Sequence, residues 1–187
     1  MVFLRAAWWQ AHHWDSALTY VLSLPDEPST SRARALAEVT THLGDSWLWF
    51  PLAGLIWFYA RRTRRLQPAL VQGWILSMAL AAASVLLVKA AVRRARPSPA
   101  TEQFHGPGAD RWSFPSGHAA RLAATALWLP LIWPRWGRLG AVVSWGLALL
   151  IGWSRVRLHV HHVGDVLAGF VLGTLVAWRV RSTTKVT

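Results

Sequence analysis

Three fragments between Lys89 and Asp165 contain the residue types that can break a phosphate ester without a metal ion. The fragments are Lys89-x6-Arg96-Pro97, Pro115-Ser116-Gly117-His118 and Ser154-Arg155-x5-His161-x3-Asp165. Such a reaction needs fixed cations to hold the phosphoryl group, one histidine to attack, another to donate a proton and a carboxylate to orient the attacker. Each role has a candidate here, so the sequence indicates an enzyme.

The first fragment brings two cations to the end of an apolar segment. Lys89 and Arg96 flank that end, and Pro97 prevents a regular helix from continuing through it. Both cations should reach the surface of a membrane together, where they could hold a phosphate. They could instead be anchors for lipid head groups, which is common for basic residues at helix ends.

The second fragment is a turn that opens an apolar helix at Ala119. Backbone N–H groups at such a helix start favour an anion, and Gly117 would let a phosphate approach the backbone closely. His118 stands where that anion would bind. The alternative is an ordinary cap and turn, with His118 as a hydrogen-bonded structural residue.

In the third fragment, His161 and Asp165 are four residues apart, so a helix would place them on one face. The carboxylate could then accept a hydrogen bond from Nδ1 and leave Nε2 free to attack phosphorus. Arg155 would add a planar, permanently charged group for phosphate oxygens. A metal site formed by His159, His161 and His162 is the alternative, although no Cys or Glu lies nearby.

Three further residues near these fragments have open roles. Arg121 follows His118 by three residues and could reach a second phosphate or a head group; it could equally pair with Asp165 or a carbonyl. His105 is expected to be a solvated loop residue. A contact between Arg111 and substrate is left open.

Composition indicates lipid rather than water around most of the chain. The 187 residues are 53% hydrophobic and include 14 Trp. Residues 66–88 carry no charge over 23 positions, enough for a helix to cross roughly 30 Å of hydrocarbon at about 1.5 Å per residue. We predict an all-α polytopic transmembrane bundle of about five to six spanning helices, with four shorter crossings at 46–60, 119–134, 139–154 and 164–178. A soluble helical bundle with a Trp-rich core is the alternative.

The chain should form one domain, residues 1–187, with the bundle in 44–180 and an active-site loop in 94–117. Residues 1–43 mix apolar and polar residues, so they should form an amphipathic surface helix, with a second short helix from Ala33 to His42. This start lacks the clean apolar run of a secretory signal peptide.

Basic loops predict the orientation in the membrane. With five crossings, nine basic residues share the face opposite the three fragments, and the positive-inside rule makes that face cytoplasmic. The fragments would then face outward from a bacterial-type inner membrane, with the C-terminus in the cytoplasm. The net charge of +12 is divided between two faces, which argues against a nucleic-acid partner. The nine residues are Arg61, Arg62, Arg64, Arg65, Arg135, Arg138, Arg179, Arg181 and Lys185.

The three fragments resemble, at every defining position and spacing, the signature of the type 2 phosphatidic acid phosphatases. These integral-membrane lipid phosphate phosphatases share a site with soluble bacterial acid phosphatases and vanadium haloperoxidases. The match spans residues 89–165, and three spaced fragments in order are far more specific than any one. Membrane members are usually drawn with six crossings, against five plus a surface helix here.

The resemblance implies a role for each site residue. His161 would form a phosphohistidine with Asp165 orienting it, and His118 would act as general acid and then as general base. No cofactor is implied. The phosphoryl oxygens would be held by Lys89, Arg96, the Ser116 hydroxyl, the Gly117 N–H and Arg155.

The substrate class remains open within lipid phosphates and diphosphates. Phosphatidate, phosphatidylglycerol phosphate, undecaprenyl diphosphate and lipid A 1-phosphate all present a phosphate near the head-group plane, and membrane lipids would surround the protein. Outward placement and a short loop slightly favour undecaprenyl diphosphate. The alternatives are a non-enzymatic protein that binds or transports a lipid phosphate, and a vanadate-dependent haloperoxidase. Spanning segments and small size count against the haloperoxidase.

Overall fold

The structure, a computed structural model, describes residues 13–23, 31–98 and 108–184, and its regular secondary structure there is helical throughout. A helical segment covers 13–22. Six longer helices follow, with single 3-10 turns between some of them. They are α1 (Ser31–Thr41), α2 (Ser46–Thr63), α3 (Pro68–Val92), α4 (Gly117–Ile132), α5 (Gly137–Arg157) and α6 (Val163–Thr183).

The helix boundaries follow local chemistry. α3 has Pro in its first turn, where the missing N–H costs nothing, and its C-cap, Arg93, lies in the left-handed region with φ 53°. α4 begins after Ser116, whose hydroxyl lies 3.5 Å from the N–H of Ala119. These two boundaries place the first and second fragments at neighbouring helix ends.

Helices occupy all five stretches for which crossings were predicted. Three of these helices, α3, α6 and α5 with its preceding turn, are long and apolar enough to span a membrane. α2 and α4 have 18 and 16 residues. The all-α fold is therefore confirmed, whereas a count of five or six crossings stays a prediction.

The N-terminal prediction is tested only in part. Residues 1–12 and 24–30 lie outside the described residues. The segment 13–22 exposes Trp14 and Tyr20 and buries Thr19, and α1 lies where a short helix was expected from Ala33 to His42. An amphipathic surface helix over 1–43 remains a prediction.

α4 lies at the centre of the bundle, packed against α3, α5 and α6. Two fully buried indoles join it to α3. Trp74 on α3 donates to the Thr125 hydroxyl on α4 at 3.0 Å, and Trp128 on α4 donates to the Ser77 hydroxyl on α3 at 2.8 Å. Because both indole N–H groups are satisfied, large aromatic residues can fill this apolar core without orphaned donors.

Two glycines bring α6 against the backbone of α4. A Cβ at Gly169 would lie 2.5 Å from the Ser116 carbonyl oxygen, and one at Gly173 would lie 1.9 Å from the Ala120 oxygen. This is the Gly-x-x-x-Gly spacing that allows helix backbones to approach closely. The contact places the start of α6 beside the start of α4, so the second and third fragments become neighbours.

We expect Gly173→Ala to destabilise the protein, because its methyl group would overlap the Ala120 carbonyl and force the two helices apart. The cost should be roughly 1–3 kcal/mol, as for other overpacked sites. Thermal unfolding of the detergent-solubilised protein measures it. Gly146→Ala on α5 is the matched control, since a Cβ there has no neighbour within 4 Å. Equal melting temperatures for the two variants would contradict this account of the α4–α6 contact.

Candidate active site

The three fragments meet at one end of the bundle, because the helices that carry them alternate in direction. Lys89 lies in the last turn of α3 and Arg155 in the last turn of α5, while α4 and α6 begin beside them. The N–H of Ser116 donates to the Asp165 carbonyl at 2.9 Å, which joins the second fragment directly to the third. Most of the predicted site residues are buried: Lys89, Arg96, Ser116, Arg155, His161 and Asp165.

His161 does not lie on a helix with Asp165, so that part of the sequence prediction is wrong. A tight turn follows α5, in which the N–H of His161 donates to the Arg155 carbonyl at 3.1 Å. His162 is then the N-cap of α6, and Asp165 lies in the first turn. The cap fixes the carboxylate, because the His162 N–H donates to Oδ2 of Asp165 at 2.8 Å.

The turn still brings His161 next to the carboxylate. Its Nδ1 lies 3.6 Å from Oδ2 of Asp165, which is longer than a hydrogen bond, and Nδ1 has no hydrogen-bond partner among the described residues. Burial lowers the pKa of His161 well below its usual value, with Arg155 and Arg96 adding to the effect and Asp165 opposing it. His161 is therefore neutral, the form that can attack phosphorus.

Arg94 is a site residue that sequence reasoning missed. Its Nη1 lies 2.7 Å from Oδ1 of Asp165 and also 2.7 Å from Oδ2 of Asp15. In the sequence, Arg94 stood out only as the start of the predicted active-site loop, 94–117. The partner that gives it a specific position comes from the segment 13–22, too far away in sequence for spacing to reveal it.

Asp45, between α1 and α2, is the second missed residue. Its Oδ1 lies 2.9 Å from Nε2 of His118. The imidazole also packs on the backbone of Gly44, where a Cβ would lie 2.5 Å from Cδ2. Burial and the nearby Arg155 lower the pKa of His118 to about 3, against the opposing effect of Asp45. The hydrogen bond from His118 in turn holds the pKa of Asp45 well below its usual value.

Arg121 pairs with a backbone carbonyl, which was one of the alternatives that the sequence left open. It is buried, and its guanidinium donates to the Gly44 carbonyl and to the Ser46 hydroxyl. These two residues flank Asp45. Arg121 thus holds the junction that places a carboxylate on His118, and the structure gives it no contact with Asp165.

Lys89 and Arg96 share one partner in the loop. Lys89 Nζ donates to Oδ1 of Asp110 at 2.8 Å, and Arg96 donates to the Asp110 carbonyl at 2.7 Å. Arg96 also donates to the carbonyls of Arg111 and Val160, at 3.0 and 2.9 Å. Arg96 therefore ties the loop to the turn that carries His161, in addition to any contact with an anion.

The remaining predicted residues have identifiable surroundings. Arg155 donates to the Thr41 hydroxyl of α1 at 2.8 Å. A Cβ at Gly117 would meet only Val85, at 3.7 Å, so packing within the described residues does not require glycine there. Arg111 is exposed and its guanidinium lies 4.4 Å from the Trp112 ring centre. His105 lies outside the described residues.

The described residues contain no group of three or more His, Asp or Glu side chains arranged to hold a metal ion. The arrangement that they do contain is a neutral buried imidazole, a second imidazole with its own carboxylate, and several cations converging on one end of the bundle. Such a set can hold an anion and transfer protons.

Comparison with known proteins identifies relatives of this chain. A model of the PAP2 superfamily matches residues 71–186. An undecaprenyl-diphosphatase of Sulfolobus acidocaldarius is 28% identical over 137 residues, which cover 72% of this chain and 63% of that protein. A lipid A 1-phosphatase of Rhizobium johnstonii is 29% identical over 200 residues, covering 91% of this chain and 77% of the relative. The chain thus matches less than two thirds of the first relative's length.

Two solved structures share the fold. The transmembrane PAP2-type phosphatidylglycerolphosphate phosphatase of Bacillus subtilis has a TM-score of 0.74 at 27% identity, covering 92% of this chain and 85% of that one. LpxE of Aquifex aeolicus has a TM-score of 0.65 at 19% identity, covering 89% and 93%. Together with the three apolar helices, these matches identify a membrane protein.

The lowered pKa values of His118 and His161 predict that acid destabilises the protein. His118 and His161 both have a pKa lowered from the usual 6.5. Below about pH 6.5 the unfolded chain binds protons that the folded chain does not, so each histidine costs about 1.4 kcal/mol per pH unit. Melting temperatures of the detergent-solubilised protein between pH 7.5 and 5 measure the trend. His118→Gln should make it shallower. A pH-independent melting temperature would show that the two imidazoles are not held neutral.

Proposed function

This chain belongs to the PAP2 superfamily, and we propose on that basis that it is an integral membrane phosphatase. It would hydrolyse the terminal phosphate of a lipid phosphate or diphosphate without a metal ion. The observation that carries the proposal is the position of neutral His161 beside Asp165, at the bundle end where Lys89, Arg96 and Arg155 are also buried.

The reaction follows from these groups in two steps. Nε2 of His161 attacks phosphorus, so an N–P bond forms while the P–O bond to the lipid breaks. His118 gives its proton to the leaving oxygen and then takes one from the water that cleaves the N–P bond. Asp165 stabilises the positive charge that develops on His161.

The phosphoryl oxygens would lie among the buried cations and the start of α4. The Gly117 N–H belongs to the first turn of a helix, where backbone dipoles favour an anion. Because packing leaves space at Gly117, a phosphate could approach this backbone closely. The Ser116 hydroxyl and Arg155 would complete the cradle.

Two carboxylates contact groups that would also contact the phosphate. Asp110 accepts from Lys89, and Asp45 from His118, in the way that phosphate oxygens would. Asp110 lies on a loop with its side chain half exposed, so it can leave. A protonated His118 can remain paired with Asp45, which supports its role as the acid despite its lowered pKa.

The distribution of basic residues supports a site at the outer face, where a lipid substrate would be presented. The eight described residues among the nine basic residues that mark the predicted cytoplasmic side are all exposed. They lie at the ends of α2, α4 and α6 and at the starts of α3 and α5, opposite the site. We therefore place the site outward on a bacterial-type inner membrane and the C-terminus in the cytoplasm.

Phosphatidylglycerol phosphate, undecaprenyl diphosphate, phosphatidate and lipid A 1-phosphate are the candidate substrates. The relatives' names support the first two and the last. A protein that binds or transports lipid phosphates without turnover is the alternative. It would use the same cradle and would not need His161 as a nucleophile.

Phosphate release by the detergent-purified protein, in EDTA, tests the proposal on a panel of these four lipids. We expect release from at least one lipid, and His161→Ala should lower it by at least a thousandfold because the nucleophile is gone. His159→Asn is the matched control, since His159 has φ 54° and asparagine adopts this region readily.

The outcomes separate the alternatives. Loss of activity in EDTA and in His159→Asn would favour a histidine metal site over a phosphohistidine. No release from any lipid by folded protein, with lipid binding retained in His161→Ala, would favour the non-enzymatic role.

Asp110→Asn should lower KM for the lipid phosphate severalfold, because it removes the charge that competes with phosphate for Lys89. The turnover number should change little. Steady-state kinetics with the best lipid of the panel measure both constants. A raised KM would instead mean that Asp110 is needed to hold Lys89 in place.

A further inference from the structure

Besides Asp45 and Asp110, a third carboxylate at the catalytic end belongs to none of the three fragments. Asp15 lies in the helical segment 13–22, and its side chain is 15% exposed. It makes two contacts with the site. Its Oδ2 lies 2.7 Å from Nη1 of Arg94, and its Oδ1 accepts from the N–H of Gly164 at 2.8 Å.

Arg94 needs such a partner because its backbone is not part of a helix. α3 ends at Val92, and Arg94 follows in an extended stretch. Its long side chain would otherwise have many conformations available. The same Nη1 contacts Asp15 and Oδ1 of Asp165, so Asp15 determines where Arg94 meets the second carboxylate.

The second contact fixes the start of α6. The first N–H groups of a helix lack partners within it. Thr19 and Asp15 supply them here, since the Thr19 hydroxyl accepts from the Val163 N–H at 3.1 Å. A Cβ at Gly164 would lie 2.7 Å from Oδ2 of Asp15, so a larger residue there would displace this carboxylate.

We propose that Asp15 is a positioning residue for catalysis, which holds Asp165 beside His161 through Arg94. With Oδ1 held by Arg94, Oδ2 of Asp165 is directed to the His162 N–H at 2.8 Å and lies 3.6 Å from Nδ1 of His161. Asp15 thereby acts on the active site from the segment 13–22, although it makes no contact with the reacting atoms. The inference rests on the phosphatase function proposed above.

Asp15→Asn separates the two contacts of this side chain. The amide oxygen can still accept from Gly164, while the charge that holds Arg94 is lost. We expect kcat to fall about tenfold to a hundredfold, as when partners of catalytic groups are removed, with KM nearly unchanged because the phosphate ligands are intact.

Thr19→Val is the matched control. It removes the contact to Val163 and loosens the same segment, but it leaves Asp15 and Arg94 in place. Its melting temperature should therefore fall with that of Asp15→Asn, whereas its kcat should stay close to wild type. If Asp15 had only a structural role, as Thr19 does, both variants would have lower melting temperatures and their kcat values would be similar to each other.

Arg94→Gln and the double variant complete a cycle. If Asp15 acts through Arg94, the double variant should lose no more kcat than Arg94→Gln alone. Additive losses, a wild-type kcat in Asp15→Asn, or an equal loss in Thr19→Val would each overturn the proposal.

A second readout needs no turnover, so it distinguishes this proposal from the proposed function. Nδ1 of His162 also lies 3.3 Å from Oδ2 of Asp165. The Nδ1 resonances of His161 and His162 in histidine-labelled protein should therefore shift in Asp15→Asn and stay in place in Thr19→Val. Unchanged resonances would overturn the role of Asp15 even in an active enzyme. An inactive wild type with shifted resonances would overturn only the phosphatase function.

Discussion

Buried positive charge at one end of the bundle is the constraint on which the rest of the structure depends. Lys89, Arg96, Arg121 and Arg155 are buried there, and Arg94 is nearly so. Cations removed from water are costly unless oxygen atoms surround them. The elements around the site supply such oxygens: the loop through Asp110, the turn through Val160, α1 through Thr41 and the α1–α2 junction through Gly44. Satisfying these cations therefore assembles the site from parts of the chain that are distant in sequence.

The same constraint separates what the sequence could predict from what it could not. Lys89, His118 and Asp165 were found because each lies in a short fragment whose spacing reflects local geometry. Asp45 and Asp15 carry no such signal. Each is an isolated aspartate whose role depends on a helix packed against it from elsewhere in the chain, and local spacing contains no information about that packing.

The error at His161 has a related cause. A spacing of four suggested one helical face, but α5 runs on to Arg157 and the chain then turns before α6 starts at Val163. Both arrangements bring the imidazole near the carboxylate, and the pattern of residue types is the same for each. The five apolar stretches were placed correctly because hydrophobic length is a property of each segment alone. The number of crossings depends also on how short helices such as α4 meet the bilayer, which their own composition does not determine.

The reciprocal indole bonds between α3 and α4 have a consequence for the distant site. Trp74 and Trp128 each donate to a hydroxyl on the opposite helix. A shift of α3 by one helical turn relative to α4 would therefore leave two N–H groups without partners in apolar surroundings. Each stranded group would cost about 1–3 kcal/mol. This pair of hydrogen bonds therefore fixes the register of α3 against α4. It sets the distance between the Lys89 ammonium group at one end of α3 and the first amides of α4. The width of the proposed phosphate site is therefore determined by packing in the middle of the bundle.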